Sequence, residues 1–267
     1  MRMFILIISV IWFVILSIAT LIFLPIGLFI GLFSEKARDY YCLFFVQFAL
    51  KSILFTTRTK VTYKGLEYLP KKGDPPVCFI SNHTGFFDIL SLYPVFHDRT
   101  GFVAKSEMEK WPVISWWMPY VHCLFLDRHD KKQGVKTILA GIKKIQAGVS
   151  MVIYPEGTRS KQEGKLLNFH HGSFKLATKN RTTIIPVAMN NSGEAFENSM
   201  PHMHKSRICA EFLEPIEIKD MSQEELEALP EKVRDLIYER IIENGKEIGS
   251  IPKDYVRPEE TESFENL

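Results

Sequence analysis

A chain of 267 residues is long enough for one catalytic domain with a substantial core and one further element. Hydrophobic residues make up 46% and charged residues 24% of the sequence, which is the composition of a folded protein and excludes a disordered chain. The formal net charge is only +2, so the sequence offers no overall electrostatic case for nucleic acid, and we expect no nucleic-acid partner.

The first element is an apolar run from Met3 to Phe33 that contains no charged residue. It exceeds the roughly 20 residues of a transmembrane helix and the roughly 7–15 residues of a signal-peptide core, so we predict a membrane anchor. Pro25 and Gly27 are expected to interrupt the helix near its middle. Two arrangements remain open: one span with a short interfacial piece, or a bent hairpin that dips into one leaflet.

A second apolar stretch runs from Tyr40 to Phe55 and is rich in aromatic residues. Its pattern favours a helix that lies in the membrane interface, and Arg58, Lys60 and Lys64 could then contact lipid head groups. We therefore predict three parts of the chain. They are a membrane-associated helical segment (1–57), an α/β domain (58–250) and a loosely ordered tail (251–267).

After Lys64, short apolar runs alternate with helical patterns. This alternation predicts an α/β fold with a mixed, largely parallel sheet covered by helices on both faces. The predicted strands are Val77–Ile80, Gly101–Ala104, Val121–Leu126, Ser150–Tyr154, Thr183–Ala188 and Arg207–Leu213. The predicted helices are Phe87–Phe96, Lys131–Gln146, Ser173–Lys179 and Gln223–Ile248, the last with a capping box at Ser222 and Glu225 and an alternative start at Pro230.

Basic residues recur between Arg128 and Lys144. Such a face could meet anionic lipid or an anionic donor molecule, or it could simply be the solvated side of a helix. The four cysteines are widely spaced and show no zinc-finger spacing, so we predict no metal site and no cofactor.

Polar residues follow two of the predicted strands directly. His83 comes after the first strand, and the segment Tyr154–Ser160 comes after another. Because ligands bind outside the carboxyl ends of the strands in open α/β sheets, we expect both segments at one edge.

His83 and Asp88 suit proton transfer. A carboxylate on one ring nitrogen fixes the tautomer of the imidazole and leaves the other nitrogen free to act as a base. The alternative is that Asp88 only caps the following helix. The sequence has no nucleophile elbow and no P-loop, so the hydroxyl that His83 would activate is more readily the substrate's own.

The stretch NHTGFFD resembles the histidine-aspartate signature of the 1-acylglycerol-3-phosphate acyltransferase family. Further blocks resemble that family in order and spacing, over roughly Thr62 to Ile218. They are GFVAKSEM (Gly101–Met108), FLDR (Phe125–Arg128), YPEGTRS (Tyr154–Ser160) and IIPVAM (Ile184–Met189).

The resemblance implies that His83 is the general base, oriented by Asp88, and that it deprotonates the 2-hydroxyl of lysophosphatidic acid for attack on an acyl thioester. The donor is either acyl-CoA or an acyl-carrier protein, and no acyl-enzyme forms. It also implies a membrane location, with the active site facing the cytoplasm.

The second polar segment suits a phosphate site, because Arg159 offers a planar fork and Gly157 allows close backbone approach. Thr158 adds a hydroxyl, while Glu156 is expected to orient Arg159 or to accept from a glycerol hydroxyl. Lys105 is a candidate donor to the oxyanion.

Three alternatives to this function stay open. One is an acyltransferase with another lysophospholipid acceptor, because His170–His171 replaces the basic pair that is usual after the YPEGTRS block. The second is a membrane-anchored thioesterase, against which a phosphate site argues. The third is a non-catalytic lipid-binding scaffold, against which the presence of His83, Asp88 and Arg159 argues.

Overall fold

The computed structural model describes residues 2–160, 162–200 and 202–255, and it describes side chains from Ile5 onward. Of the predicted tail, residues 256–267 lie outside this part of the chain. Within it, Ile251 is buried and the Tyr255 hydroxyl donates to the Gly164 carbonyl at 3.4 Å. The first part of that segment therefore packs against the domain.

Eight helices and seven strands of the described residues build the fold. The helices are α1 Arg2–Gly31, α2 Glu35–Thr56, α3 Phe86–Leu92, α4 Ile114–Trp117, α5 Lys131–Gln146, α6 His171–Thr178, α7 Gln223–Glu227 and α8 Leu229–Ile248. The strands are β1 Lys60–Lys64, β2 Cys78–Ser81, β3 Thr100–Lys105, β4 Leu124–Leu126, β5 Ser150–Ile153, β6 Ile184–Asn190 and β7 Arg207–Phe212.

The seven strands form one sheet in the order β1-β7-β6-β2-β5-β3-β4. Every neighbouring pair is parallel except β6 and β7. Alternate residues of the central strands face opposite sides, so Phe79 packs with α2 and α3 on one face while Cys78 and Ile80 pack with α5, α6 and α8 on the other. The predicted mixed, largely parallel sheet with helices on both faces is confirmed.

Helix α1 does not break at its proline. It continues through Pro25 to Gly31, so the predicted interruption is wrong. A Cβ on Gly27 would lie 3.0 Å from the Tyr41 ring, and the glycine therefore lets α2 pack closely against α1. The segment Ile5–Gly31 is long and apolar enough to cross a membrane, and only 22% of its most apolar window is buried.

Helix α2 has two different faces. Cys42 and Phe45 are buried in the core, whereas Phe44 and Phe48 are 70% and 52% exposed. The interfacial pattern predicted for this helix describes only the outer face. Its polar interruption, Gln47, donates to the backbone carbonyls of the segment after α3 and so fastens α2 to the domain.

Strand β1 is not predicted by the sequence pattern, which suggests only that its two lysines, Lys60 and Lys64, could contact lipid head groups. Lys64 instead donates to Asn244 at 2.9 Å and pairs with Glu247 on α8. The short KVTYK pattern is only half buried, because β1 is an edge strand, and the hydrophobic signal is correspondingly weak.

Candidate active site

The turn after β2 begins with an asparagine that joins two strands. The Asn82 amide donates to the Met189 carbonyl at 2.9 Å, and its oxygen accepts from the Met189 N–H at 2.8 Å. This reciprocal pair attaches the end of β2 to β6. The sequence analysis gave Asn82 no role, since one polar residue carries no signal about a strand that lies about 100 residues away in the chain.

His83 and Asp88 are in direct contact. The imidazole Nδ1 lies 2.6 Å from the carboxylate Oδ2, and the Asp88 side chain is fully buried. This carboxylate also accepts from the backbone N–H groups of Thr84 and Gly85 at 2.8 and 3.0 Å, and the Ser192 hydroxyl donates to it. Asp88 therefore both caps α3 and orients His83. The other ring nitrogen of His83, Nε2, is left free to face a substrate.

Tyr154 fixes the plane of the histidine ring. The two rings stack with centroids 4.3 Å apart and an angle of 20° between their planes. Burial raises the pKa of the Tyr154 hydroxyl, which has no hydrogen-bond partner within the described residues. The sequence pattern predicts that Tyr154 ends a strand, but it carries no signal that this ring stacks on His83.

The turn after β5 is tied to the histidine turn by two backbone contacts. The Ser160 N–H donates to the His83 carbonyl at 2.8 Å, and the His83 N–H donates to the Glu156 carboxylate at 2.7 Å. The other oxygen of that carboxylate accepts from the Leu167 N–H at 2.9 Å. The two polar segments thus meet at the carboxyl edge of the sheet, where parallel strands β2 and β5 end.

These contacts correct the role expected for Glu156. Its carboxylate is buried and holds backbone groups, so it does not orient Arg159. Burial raises the pKa of Glu156 to about 8, although the two backbone donors act in the opposite direction. Glu156 is therefore a buried residue that stabilises the conformation of the turn through its two backbone donors.

Gly157 and Thr158 lie at the tip of this turn. Gly157 has φ +68°, in the left-handed region that favours glycine, and an added Cβ would lie 3.1 Å from the His170 ring. Thr158 is exposed. The tip of the turn therefore allows close approach at the glycine backbone and presents a hydroxyl outward.

Arg159 is held beside the histidine turn by two neighbours. Its guanidinium carbon lies 4.2 Å from the centre of the Phe86 ring, and its Nη1 lies 3.5 Å from Glu197 Oε1. The carboxylate partner of Arg159 is thus Glu197, in the short 3₁₀ turn Glu197–Ser199 after β6. No pattern in the sequence pointed to Glu197, because this pairing joins loops that are distant in the chain.

Glu197 also contacts the first turn of α3. The Phe86 N–H donates to its Oε1, and a Cβ on Gly85 would lie 2.7 Å from its Oε2. That second oxygen is buried without a hydrogen-bond partner among the described residues, and burial raises the pKa of the carboxyl group. One carboxylate therefore connects the histidine turn with the arginine.

Lys105 ends strand β3 and lies on the rim of the site. Its Nζ is 2.6 Å from Glu107 Oε1, and its side chain is 48% exposed. One open cavity of about 1610 Å³ is lined by His83, Lys105, Glu156, Arg159 and Glu197 among others. The site residues proposed from the sequence thus border a common space. Among them, Glu156 is buried in the wall of the cavity.

No group of three or more histidine, cysteine, aspartate or glutamate side chains within the described ranges is arranged to hold a metal ion. The neighbouring histidines His170 and His171 point to different partners. His170 packs against Gly157, while His171 Nε2 lies 3.0 Å from Glu231 on α8.

Comparison with known proteins shows which family this part of the chain is similar to. Residues 60–190 match the family model described as Acyltransferase. The match begins at β1 and ends with β6, so it contains the histidine turn and the arginine turn.

Two individual relatives are similar to this chain and carry the description of an acyltransferase. The chain is 28% identical over 190 residues to a 1-acyl-sn-glycerol-3-phosphate acyltransferase of Saccharomyces cerevisiae, covering 70% of this chain and 60% of the yeast protein. It is 30% identical over 166 residues to a chloroplastic relative of the same description from Arabidopsis thaliana, covering 62% of this chain and 45% of that protein. The chain thus spans about half to three fifths of these relatives' length.

The fold has a solved counterpart. The crystal structure of the 1-acyl-sn-glycerophosphate acyltransferase from Thermotoga maritima superposes with a TM-score of 0.73 and covers 91% of this chain and 97% of that one. The sequences are 22% identical, so this likeness establishes the fold alone.

Proposed function

We propose that the protein transfers an acyl group from an acyl thioester to the 2-hydroxyl of 1-acylglycerol-3-phosphate, giving phosphatidic acid for phospholipid biosynthesis. The observation that carries this proposal is the contact of His83 with buried Asp88 in the same cavity as Arg159. The descriptions of the relatives support the choice of substrate.

In this reaction His83 Nε2 takes the proton of the lipid hydroxyl, while Asp88 stabilises the imidazolium from Nδ1. The hydroxyl oxygen attacks the thioester carbonyl, and a new C–O bond forms. When the tetrahedral intermediate collapses, the C–S bond breaks, and the leaving thiolate takes the proton back from His83. Lys105 is the side chain we assign to the developing oxyanion, and this requires it to leave Glu107.

The lipid phosphate is assigned to Arg159 and the tip of its turn. A guanidinium presents two parallel N–H donors to a phosphate, and the exposed Thr158 hydroxyl adds a further donor. Phe86 lies against the guanidinium and limits its movement. Binding of the anionic head at this place brings the 2-hydroxyl toward His83.

The N-terminal helices explain how a lipid reaches the site. Helix α1 exposes many apolar side chains, and Phe44 and Phe48 of α2, which packs against it, are also exposed. An acceptor that stays in the membrane avoids exposing its tail, which costs about 0.8 kcal/mol per CH₂ group in water. We place the active site on the cytoplasmic side, where a soluble thioester is available.

Product identification tests the proposal. Purified protein in detergent receives isotope-labelled 1-acylglycerol-3-phosphate with acyl-CoA or an acyl-carrier protein, and the lipids are identified by mass spectrometry. We expect labelled phosphatidic acid acylated at position 2. Faster acylation of a lysolipid without a free phosphate monoester would overturn the acceptor, and equal release of fatty acid with and without acceptor would indicate a thioesterase.

A further inference from the structure

The cavity continues well beyond the catalytic edge. It runs between α5 and α6 and is lined there by Val135, Leu139, Gly172, Lys175 and Lys179. Helix α6 begins beside Gly157 and extends away from it, so at about 1.5 Å per residue the groove reaches roughly 13 Å past the arginine turn. Glycerol phosphate and its hydroxyl occupy only the catalytic end of this space.

The groove lies on the face of the sheet opposite the apolar helices. Helices α1 and α2 pack on the first face, whereas α5, α6 and α8 pack on the second. If the lipid arrives from the side of α1, the groove between α5 and α6 opens toward water. Its position thus suits the soluble substrate of the reaction rather than the lipid.

Charge along the groove is unevenly distributed. Every acidic side chain that lines the cavity belongs to a segment at the catalytic edge, where acidic Glu107, Asp127, Asp130, Glu156 and Glu197 lie together with basic Lys105, Arg128, Lys131 and Arg159. At the far end the lining charges are Lys175 and Lys179, one turn apart, and within the described part of the chain neither has an acidic partner. The far end is therefore a second cationic place for an anionic group, separate from Arg159 and remote from His83.

The walls leave room for a ligand. Val135 and Leu139 are 60% and 52% exposed although both are apolar, and an added Cβ on Gly172 would meet no atom within 4 Å. Below them the helices are in close contact where Gly141 meets Leu176, so the groove has a closed floor. The result is an apolar channel with a cationic far end.

We propose that this groove binds the carrier part of a coenzyme A thioester, with the pantetheine arm along Val135 and Leu139 and the nucleotide phosphates at Lys175 and Lys179. Coenzyme A carries its thiol and its phosphates at opposite ends of a flexible arm, which matches the separation of His83 from the lysines. The inference rests on the proposed acyl transfer and identifies its donor.

The test compares two charge-reversal variants of the full chain in detergent. Lys175→Glu with Lys179→Glu changes the groove, and Lys219→Glu with Lys232→Glu makes the same change at exposed positions that do not line it. Three donors carry the same acyl chain: acyl-CoA, acyl-pantetheine without the nucleotide, and an acyl-carrier protein. The KM for each donor and for the lysolipid is measured.

We expect the groove variant to raise the KM for acyl-CoA about tenfold, which corresponds to about 1.4 kcal/mol. The KM values for acyl-pantetheine and for the lysolipid stay unchanged, and the control variant resembles the wild type. Gly172→Leu, which fills the groove without changing charge, also raises the KM for acyl-CoA. Equal KM values for acyl-CoA in the groove and control variants would overturn the proposal, as would a loss confined to the carrier protein.

Binding of free coenzyme A by calorimetry separates this inference from the proposed function. If no lipid is acylated but the wild type binds coenzyme A and the groove variant does not, the acyl transfer is wrong and the groove assignment stands. If lipid is acylated and both proteins bind coenzyme A equally, the groove assignment is wrong and the acyl transfer stands.

Discussion

The two turns that meet at the edge of the sheet are built differently. In the turn after β2, Asp88 is fully buried and accepts from five donors, one of them His83. In the turn after β5, Arg159 remains 39% exposed and is held only by a ring face and one carboxylate at 3.5 Å. The histidine that we propose for proton transfer is fixed, whereas the arginine that we propose for anion binding can adjust.

This difference follows the demands of the two tasks. A general base contributes only when its nitrogen lies within hydrogen-bond reach of the proton, so small displacements are costly. An arginine that binds a phosphate at the end of a flexible lipid tolerates movement. Substitutions in the first turn should therefore change the rate, and substitutions in the second should change the affinity.

The largest effect is expected from His83→Ala. Loss of the base should lower kcat by about 10²–10⁴-fold while the KM for the lysolipid changes little, because the phosphate site is intact. Initial rates with acyl-CoA measure both quantities. His129→Ala, at an exposed position, is the control, and a His83→Ala enzyme that keeps more than about a tenth of the rate would contradict the role of the base.

The next effect is that of Arg159→Ala. The KM for 1-acylglycerol-3-phosphate should rise about 10–100-fold, since a charge-assisted hydrogen bond contributes roughly 1.5–3 kcal/mol, and kcat should fall less. Arg207→Ala, an exposed arginine at the start of β7, serves as the comparison. If kcat falls as far as in His83→Ala while KM is constant, the two turns do not have separate roles in rate and in substrate affinity.

Glu197→Gln sharpens the comparison, because this side chain contacts both turns. Glutamine keeps the volume and one acceptor for the Phe86 N–H but removes the charge that offsets Arg159. We expect the KM for the lysolipid to fall about threefold, within the range of a partly exposed ion pair. Glu194→Gln, in the same loop, should leave it unchanged. A rise in KM in Glu197→Gln would show that Glu197 mainly positions the arginine.

The smallest effect concerns stability. Burial raises the pKa of Glu156 to about 8, so the folded protein keeps a proton that the unfolded chain releases at lower pH. The free energy of unfolding therefore falls as the pH rises from about 5 to about 8, and Glu156→Gln should reduce that fall. Urea denaturation at both pH values measures it, with exposed Glu67→Gln as the control. A pH dependence as steep in Glu156→Gln as in wild type would contradict the assignment.

The sequence predicted the parts of this site that depend on short-range pattern. The alternation of strands and helices placed His83 and Arg159 at one edge, and the five-residue spacing to Asp88 suited a carboxylate that folds back onto the ring. The sequence could not predict contacts between distant loops, which is why Glu197 and Tyr154 were missed and Glu156 was given the wrong neighbour. Helix α1 was misjudged because Pro25 alone does not end a helix that packs against a second one.

The most direct test of the central claim asks whether the acyl group ever resides on the protein. Enzyme and acyl-labelled thioester are mixed without acceptor, quenched in acid, and examined for label on the denatured protein; the acceptor is then added. If His83 activates the lipid's own hydroxyl, no label stays on the protein, and label passes to phosphatidic acid in a single phase once the acceptor is present. Labelled protein that forms at the catalytic rate and then transfers its acyl group to the lipid would contradict the account.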